Sequence, residues 1–198
     1  MTGIKRALTK LWDFKGRDRR AQFWPYAGVV AATTAVLSVV AAVPIILTQV
    51  QQSLVFAEAN PDKATIHRTP TSVMVEIHDT TGMPPMDPVA GLWPVILLGV
   101  IAGLFLAAAI TRRLHDRGLS GRWALIPAGL YAVWLTVFFR FFGSVWSDNA
   151  AIVEARFVIL FMALLLTSML VQLSIITLVI VLALKGRDGP NRYGPEPG

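Results

Sequence analysis

Charged side chains leave four long gaps in this sequence, and apolar residues fill them. The first gap, residues 26–47, reads YAGVVAATTAVLSVVAAVPIIL. The second is LWPVILLGVIAGLFLAAAI over 92–110, the third WALIPAGLYAVWLTVFFRFF over 123–142, and the fourth covers 157–184. Only the third contains a charge, Arg140, close to its end. Each is long enough to cross a hydrocarbon layer of roughly 30 Å, which takes about 20 helical residues. Backbone amides and carbonyls in hydrocarbon need partners within their own segment, so the pattern predicts helices. At 1.5 Å per residue the fourth is about 42 Å long and must tilt, bend or protrude. The chain therefore reads as an all-α integral membrane protein with four transmembrane helices. Trp24, Tyr26, Trp93, Trp123 and Trp146 fall at the predicted boundaries, where amphipathic rings sit at headgroup level.

The segments between the gaps have characters of their own. Within the leader, residues 1–25, Ile4, Ala7, Leu8, Leu11 and Trp12 recur at helical spacing while Lys5, Arg6 and Lys10 face elsewhere. That spacing predicts a basic amphipathic interfacial helix over 4–14, its apolar stripe facing either lipid or the protein's own inner loops. The outer loop, 48–91, is broken by Asn60-Pro61-Asp62 and Met83-Pro84-Pro85. Its alternating run Ser72–His78 predicts one short strand, with 64–67 as its partner across 68–71. His67 and His78 would then be neighbours beside Glu76 or Asp79. Two histidines without a ligand motif read as solvated loop residues, so no metal is expected. A second outer loop covers 143–156. A basic start, an apolar run and Val55-Phe56-Ala57 before Glu58 imitate a cleaved secretory signal. Such signals carry roughly 7–15 apolar residues, fewer than this run, which is therefore read as a retained span.

Charge orients the four spans. The chain has 18 Lys and Arg against 12 Asp and Glu, a net charge of +6, and no cysteine. The absence of cysteine excludes disulfides, thiolate metal sites and a cysteine nucleophile. Only 15% of residues are charged and 55% are hydrophobic, where soluble domains average about 25% charged. Fourteen of the 18 cations fall in the leader, in the turn at 111–122 and in the tail at 185–198. With an even number of spans those segments share one side, and the positive-inside rule makes both termini cytoplasmic. The bilayer and its anionic headgroups are the expected partners, with a membrane-protein partner or a second copy as further ones, and nucleic acid as none.

Inside the spans the polar signals are sparse. Gly99 and Gly103 form a small-xxx-small pair, and the first span offers Gly28, Ala32, Ser38 and Ala42 for close helix approach. The fourth span carries Ser168, Gln172, Ser174 and Thr177, together with Thr167. These read as interhelical hydrogen bonds or as a polar path, and no Asp, Glu, Lys or His lies mid-membrane to move an ion or proton.

Three short polar motifs sit on the basic side, each joined to a span. FKGRDRR, residues 14–20, leads through Gln22-Phe23-Trp24 into the first. RRLHDRGLSGRW, residues 112–123, joins the second to the third, and GRDGPNRYGP, residues 186–195, follows the fourth. The set resembles the bacterial inner-membrane family catalogued as domain of unknown function 805. That family shows an F-x-G-R-x-x-R entry, an R-R-L-H-D-x-G-x-S-G-W turn and a G-x-N-R/x-Y-G-P tail on four helices. The resemblance covers all but the outer loop, which is longer than in many relatives. Two departures are Arg122, inserted between Gly121 and Trp123, and the extra acid Asp188. The resemblance implies a four-helix fold and a location in the bacterial inner membrane, and assigns no activity.

The motif residues have legible chemistry. Gly118 suits a positive φ that ends the second helix, and Ser120 suits a cap for the third. Asp116 has Arg113, Arg117, Arg17, Arg19 and Arg20 as candidate partners. His115 has Asp18 or Asp116, and titrates near neutrality if exposed. Two readings follow for Arg17, Arg19, Arg20, Arg112, Arg113, His115, Asp116, Arg117, Ser120, Asn191 and Tyr193. One is a charged clasp that ties the inner segments together. The other is an anion or lipid-headgroup site built from arginine forks. No G-x-S-x-G or H-E-x-x-H motif occurs, and no nucleophile, base and orienter are recognisable together, so neither catalysis nor a cofactor is expected. The expected function is a non-catalytic membrane protein whose basic inner face engages anionic lipid or a partner membrane protein. A small transporter or channel component using the polar stripe of the fourth span is the alternative.

Overall fold

The computed structural model describes residues 3–84, 89–145 and 150–197. Trp146 and Pro85 lie outside the described residues. The helices are α1 (Gly3–Thr9), α2 (Arg20–Ala59), α3 (Trp93–Asp116), α4 (Leu125–Val145) and α5 (Ala150–Ala183), with an antiparallel hairpin of β1 (Ala64–Arg68) and β2 (Val73–Ile77) after α2. Single 3-10 turns, Ala90–Leu92 and Gly121–Ala124, precede α3 and α4. Among the described residues four helical segments are long and apolar enough to cross a membrane: Arg20–Ala59, Ala90–Asp116, Gly121–Ser144 and Arg156–Ala183. The all-α membrane fold with four spanning helices stands.

The chain forms two compact units, one of Met1–Ala31 with Ala102–Gly198, the other of Ala32–Ile101. In the first, Ala7, Phe23, Tyr26, Ala109, Leu114 and Leu182 make a buried apolar cluster. The Tyr26 hydroxyl donates to the Phe105 carbonyl of α3 at 2.9 Å, which satisfies the one polar atom that this ring buries. α4 and α5 form an antiparallel pair: Trp134 Nε1 donates to Ser168 Oγ at 2.8 Å, and Phe141 lies 5.4 Å from Phe157, ring to ring.

The leader departs from expectation. Instead of one amphipathic helix over 4–14, α1 ends at Thr9 and the chain turns twice, Lys10 N donating to Ala7 O and Asp13 N to Lys10 O. Beyond that end the Arg112 guanidinium donates to the carbonyls of Lys10 and Asp13 and holds the turned segment against α3. Ile4, Ala7 and Leu11 pack on the cluster of the same unit, while Leu8 and Trp12 stay exposed. The stripe therefore faces protein over most of its length.

In the second unit the helix runs on to Ala59, so residues 48–59 of the expected loop are helical and Pro44 lies in a helix interior. Gln49, Gln51, Gln52 and Ser53 stop an apolar run without stopping a helix. The hairpin has the anticipated strands. Its register pairs His67 with Met74 and Ala64 with Ile77, which puts His67 and His78 near opposite ends. His67 lies 3.6 Å from Glu76, His78 Nε2 lies 2.9 Å from Thr65 Oγ1, and no metal-ligand cluster occurs among the described residues. Two hydrogen bonds from Thr81 hold the exposed Asp79 carboxyl below its ordinary pKa. A β-carbon on Gly99 or on Gly103 would meet nothing within 4 Å among the described residues.

Candidate functional site

The N-terminal end of α2, the C-terminal ends of α3 and α5 and the tail meet around five buried charged residues: Arg17, Asp18, Arg112, Arg113 and Asp116. All lie in the first unit. Asp116, on the last turn of α3, accepts from Arg17 Nε at 3.1 Å and is paired through its other oxygen with Arg113 Nη1, one turn earlier on the same helix. Asp18 accepts from Arg112 Nε at 2.6 Å, and its second oxygen lies 3.4 Å from Arg6 Nη2. Taking charges out of water is costly unless geometry and additional hydrogen bonds compensate. Here backbone carbonyls supply those bonds. Arg17 Nη1 donates to Gly189 O at 2.6 Å, and Arg113 Nε donates to Leu182 O at 2.9 Å. Arg113 also donates to Leu184 O. These last acceptors are at the C-terminal end of α5, where four carbonyls have no intrahelical partner and the helix dipole is negative. Three buried guanidinium groups thus face two carboxylates and a helix end.

The linker and the tail are fitted to this cluster. Asp13 accepts from the Lys15 amide at 3.0 Å and from Lys10 Nζ at 3.3 Å, and these bonds hold its carboxyl below the ordinary value. Arg187 N donates to Asp116 O at 2.9 Å, which lays the tail across the end of α3. His115 meets neither Asp18 nor Asp116. Its Nδ1 lies 3.2 Å from the Gly16 carbonyl, and its ring stacks on Tyr193 at 3.8 Å with planes 5° apart. Asn191 secures the arrangement: its Nδ2 donates to His115 O at 2.9 Å while its Oδ1 accepts from Tyr193 N at 2.9 Å. Gly118 has φ +76°, and the Leu119 amide beyond it bonds back to Leu114 O at 2.9 Å, closing α3. Ser120 Oγ accepts from Arg122 N at 3.4 Å and caps the following turn.

The remaining site residues stand outside the buried cluster. Arg19 and Arg20 are exposed, Arg19 3.5 Å from Glu196 and Arg20 donating to Ala183 O at 3.4 Å. Arg117 donates to Lys185 O. With Lys185 and Arg187, the exposed Arg19 and Arg20 surround a concavity of about 350 Å³ whose lining includes Arg113 and Asp116. Lys185, Gly186, Arg187 and Glu196 were not among the candidate site residues, although Gly186 and Arg187 stand in the tail motif, and Asp18 was expected beside His115 rather than as an acceptor for Arg112. In α5 the hydroxyls of Ser168, Ser174 and Thr177 donate to their own helix, at Leu164 O, Val171 O and Leu173 O. Ser174 and Thr177 also line an apolar cleft of about 550 Å³ with Trp123, Pro127, Leu130 and Leu173. Gln172 is exposed.

Fold and cluster together define a helical membrane protein with a buried arginine–aspartate core at one end of its spans. The family model described as "Protein of unknown function (DUF805)" matches residues 11–195, and the chain belongs to that family. No curated protein and no solved structure matches it.

Proposed function

We propose that this protein is a non-catalytic, multi-pass protein of the bacterial inner membrane, with cytoplasmic termini, whose basic inner face binds anionic lipid headgroups. One observation carries the reading: the arginines divide into two sets. Arg17, Arg112 and Arg113 are buried, bond to carboxylates and carbonyls, and act as the clasp. Arg19, Arg20, Lys185 and Arg187 are exposed around the concavity above it. Their contacts to Glu196 and Asp188 are solvent-exposed pairs, which hold little free energy and yield readily to a phosphate. The clasp fixes the backbone from which these cations project, so a headgroup meets a preorganised set. Orientation agrees, because the anionic leaflet and the positive-inside side coincide. Ser120 is engaged as a cap and His115 lies between Gly16 and Tyr193, arrangements that supply no nucleophile and base pair.

Native mass spectrometry of the full chain with phosphatidylglycerol, cardiolipin or phosphatidylcholine tests the reading. Each cation near an anionic surface contributes about 1 kcal/mol, roughly fivefold in affinity. Replacing Arg19, Lys185 and Arg187 with Ala should therefore cut retention of both anionic lipids steeply and leave phosphatidylcholine unchanged. Equal retention of anionic lipid by the variant and the parent chain overturns it.

A further inference from the structure

We infer that α5 carries a self-association seam through which two copies of this chain pair within the membrane, with Gln172 bonding to its own counterpart. The observation is a polar group out of place. Gln172 lies about 4 Å along the axis from the middle of the Arg156–Ala183 span. Its side chain is exposed, and no described residue bonds to its amide. The neighbouring hydroxyls of Thr167, Ser168, Ser174 and Thr177 all donate to carbonyls of their own helix, a solution too short for the longer glutamine amide. Acyl chains offer neither donor nor acceptor, so lipid cannot satisfy it.

The residues around it form a seam. Met162, Leu165, Met169, Gln172, Ile176 and Val179 follow one another in steps of three and four, the spacing that keeps one stripe of a helix facing a partner helix. Their five apolar members are between 44% and 61% exposed, so the chain itself leaves the stripe open. A lone polar residue within an apolar seam is a device for fixing register, since only one alignment pairs it. A second copy is the occupant that this chemistry selects. An amide is both donor and acceptor and therefore complements itself across a two-fold axis. Copies of one topology in one bilayer also hold Gln172 at the same depth, so a parallel pair brings the two amides together without any shift.

The experiment uses the full chain in phosphatidylcholine vesicles, which contain no anionic headgroup, so its outcome is separate from that of lipid binding. The natural chain has no cysteine, which makes single introduced thiols unambiguous. Oxidative crosslinking should be several-fold stronger for Met169→Cys and Ile176→Cys than for Leu166→Cys and Leu173→Cys, which are equally open but lie on the adjoining face. Gln172→Leu should weaken association between labelled copies about threefold to thirtyfold, the range for one interhelical side-chain hydrogen bond. Gln172→Asn should stay close to the parent chain. A monomer at every protein-to-lipid ratio, equal crosslinking at the four positions, or undiminished association of Gln172→Leu overturns the inference. The crosslinking pattern stands on the chain with Gln172 intact, so it decides the matter even if Gln172→Leu folds poorly.

Discussion

Gly186 and Asp116 are in such close contact that a β-carbon on Gly186 would lie 2.0 Å from Asp116 Oδ2. The missing side chain is what lets the tail rest on the buried carboxylate. Gly186→Ala must push apart a carboxylate already fixed by two arginines, and overpacking of this kind costs about 1–3 kcal/mol. A lower thermal midpoint for the variant in detergent, with α-helical circular dichroism unchanged at low temperature, is the expected result.

Removing the charge of Asp116 should be more damaging than removing the arginine surplus. Asp116→Asn leaves Arg17 and Arg113 buried without their shared anion, and breaking one side of a buried pair costs about 3–5 kcal/mol. Arg19→Ala, at an exposed pair 3.5 Å long, should change stability by less than about 1 kcal/mol. Parallel denaturant titrations of the two variants compare these directly, and equal destabilisation would contradict the division between clasp and rim.

The stacked rings of His115 and Tyr193 anchor the tail. Tyr193→Phe keeps the ring and should keep the tail docked. Tyr193→Ala loses a contact worth about 0.5–1.5 kcal/mol and should speed proteolysis between 187 and 195 several-fold. Limited trypsin digestion, cutting at Arg187 and Arg192, reads this out.

Between α4 and α5, Ser168→Ala removes the acceptor for Trp134 Nε1. Hydrogen bonds between membrane helices average about 0.6 kcal/mol and reach about 1.7 kcal/mol. A stability loss in that range is expected, together with a shift of Trp134 fluorescence.

Asp13 gives a pH dependence with a definite sign. The Lys15 amide and Lys10 favour its ionised form, so its pKa in the folded chain lies below 3.8. The contribution is fully present above the value for an unfolded aspartate and is lost as pH falls through the lower folded value. Protection of the Lys15 amide against hydrogen exchange should persist at neutral pH and fade only in strong acid.

The spans were legible because hydropathy reports what hydrocarbon demands, and little else in the sequence competes with it. The ends were less so: α2 continues through Gln49–Ser53 because polar side chains leave hydrophobic runs without opposing a helix. For the clasp, pattern could name the charged candidates for Asp116 but not choose among them. The choice of Arg17 and Arg113 depends on where α2 and α3 place their backbones. Most of what the arginines grip is carbonyl oxygen, at Lys10, Asp13, Leu182 and Gly189, and a carbonyl leaves no mark in a sequence. Gly186 was visible only as a motif letter, since its role lies in the atom it lacks.

The bond from Arg17 to the Gly189 carbonyl joins residues 172 positions apart. It cannot close until residue 189 has been synthesised, after the last of the four long apolar helices. The arginine–aspartate end of the spans is therefore assembled late, and a chain shortened before residue 189 would lack the carbonyl that receives Arg17.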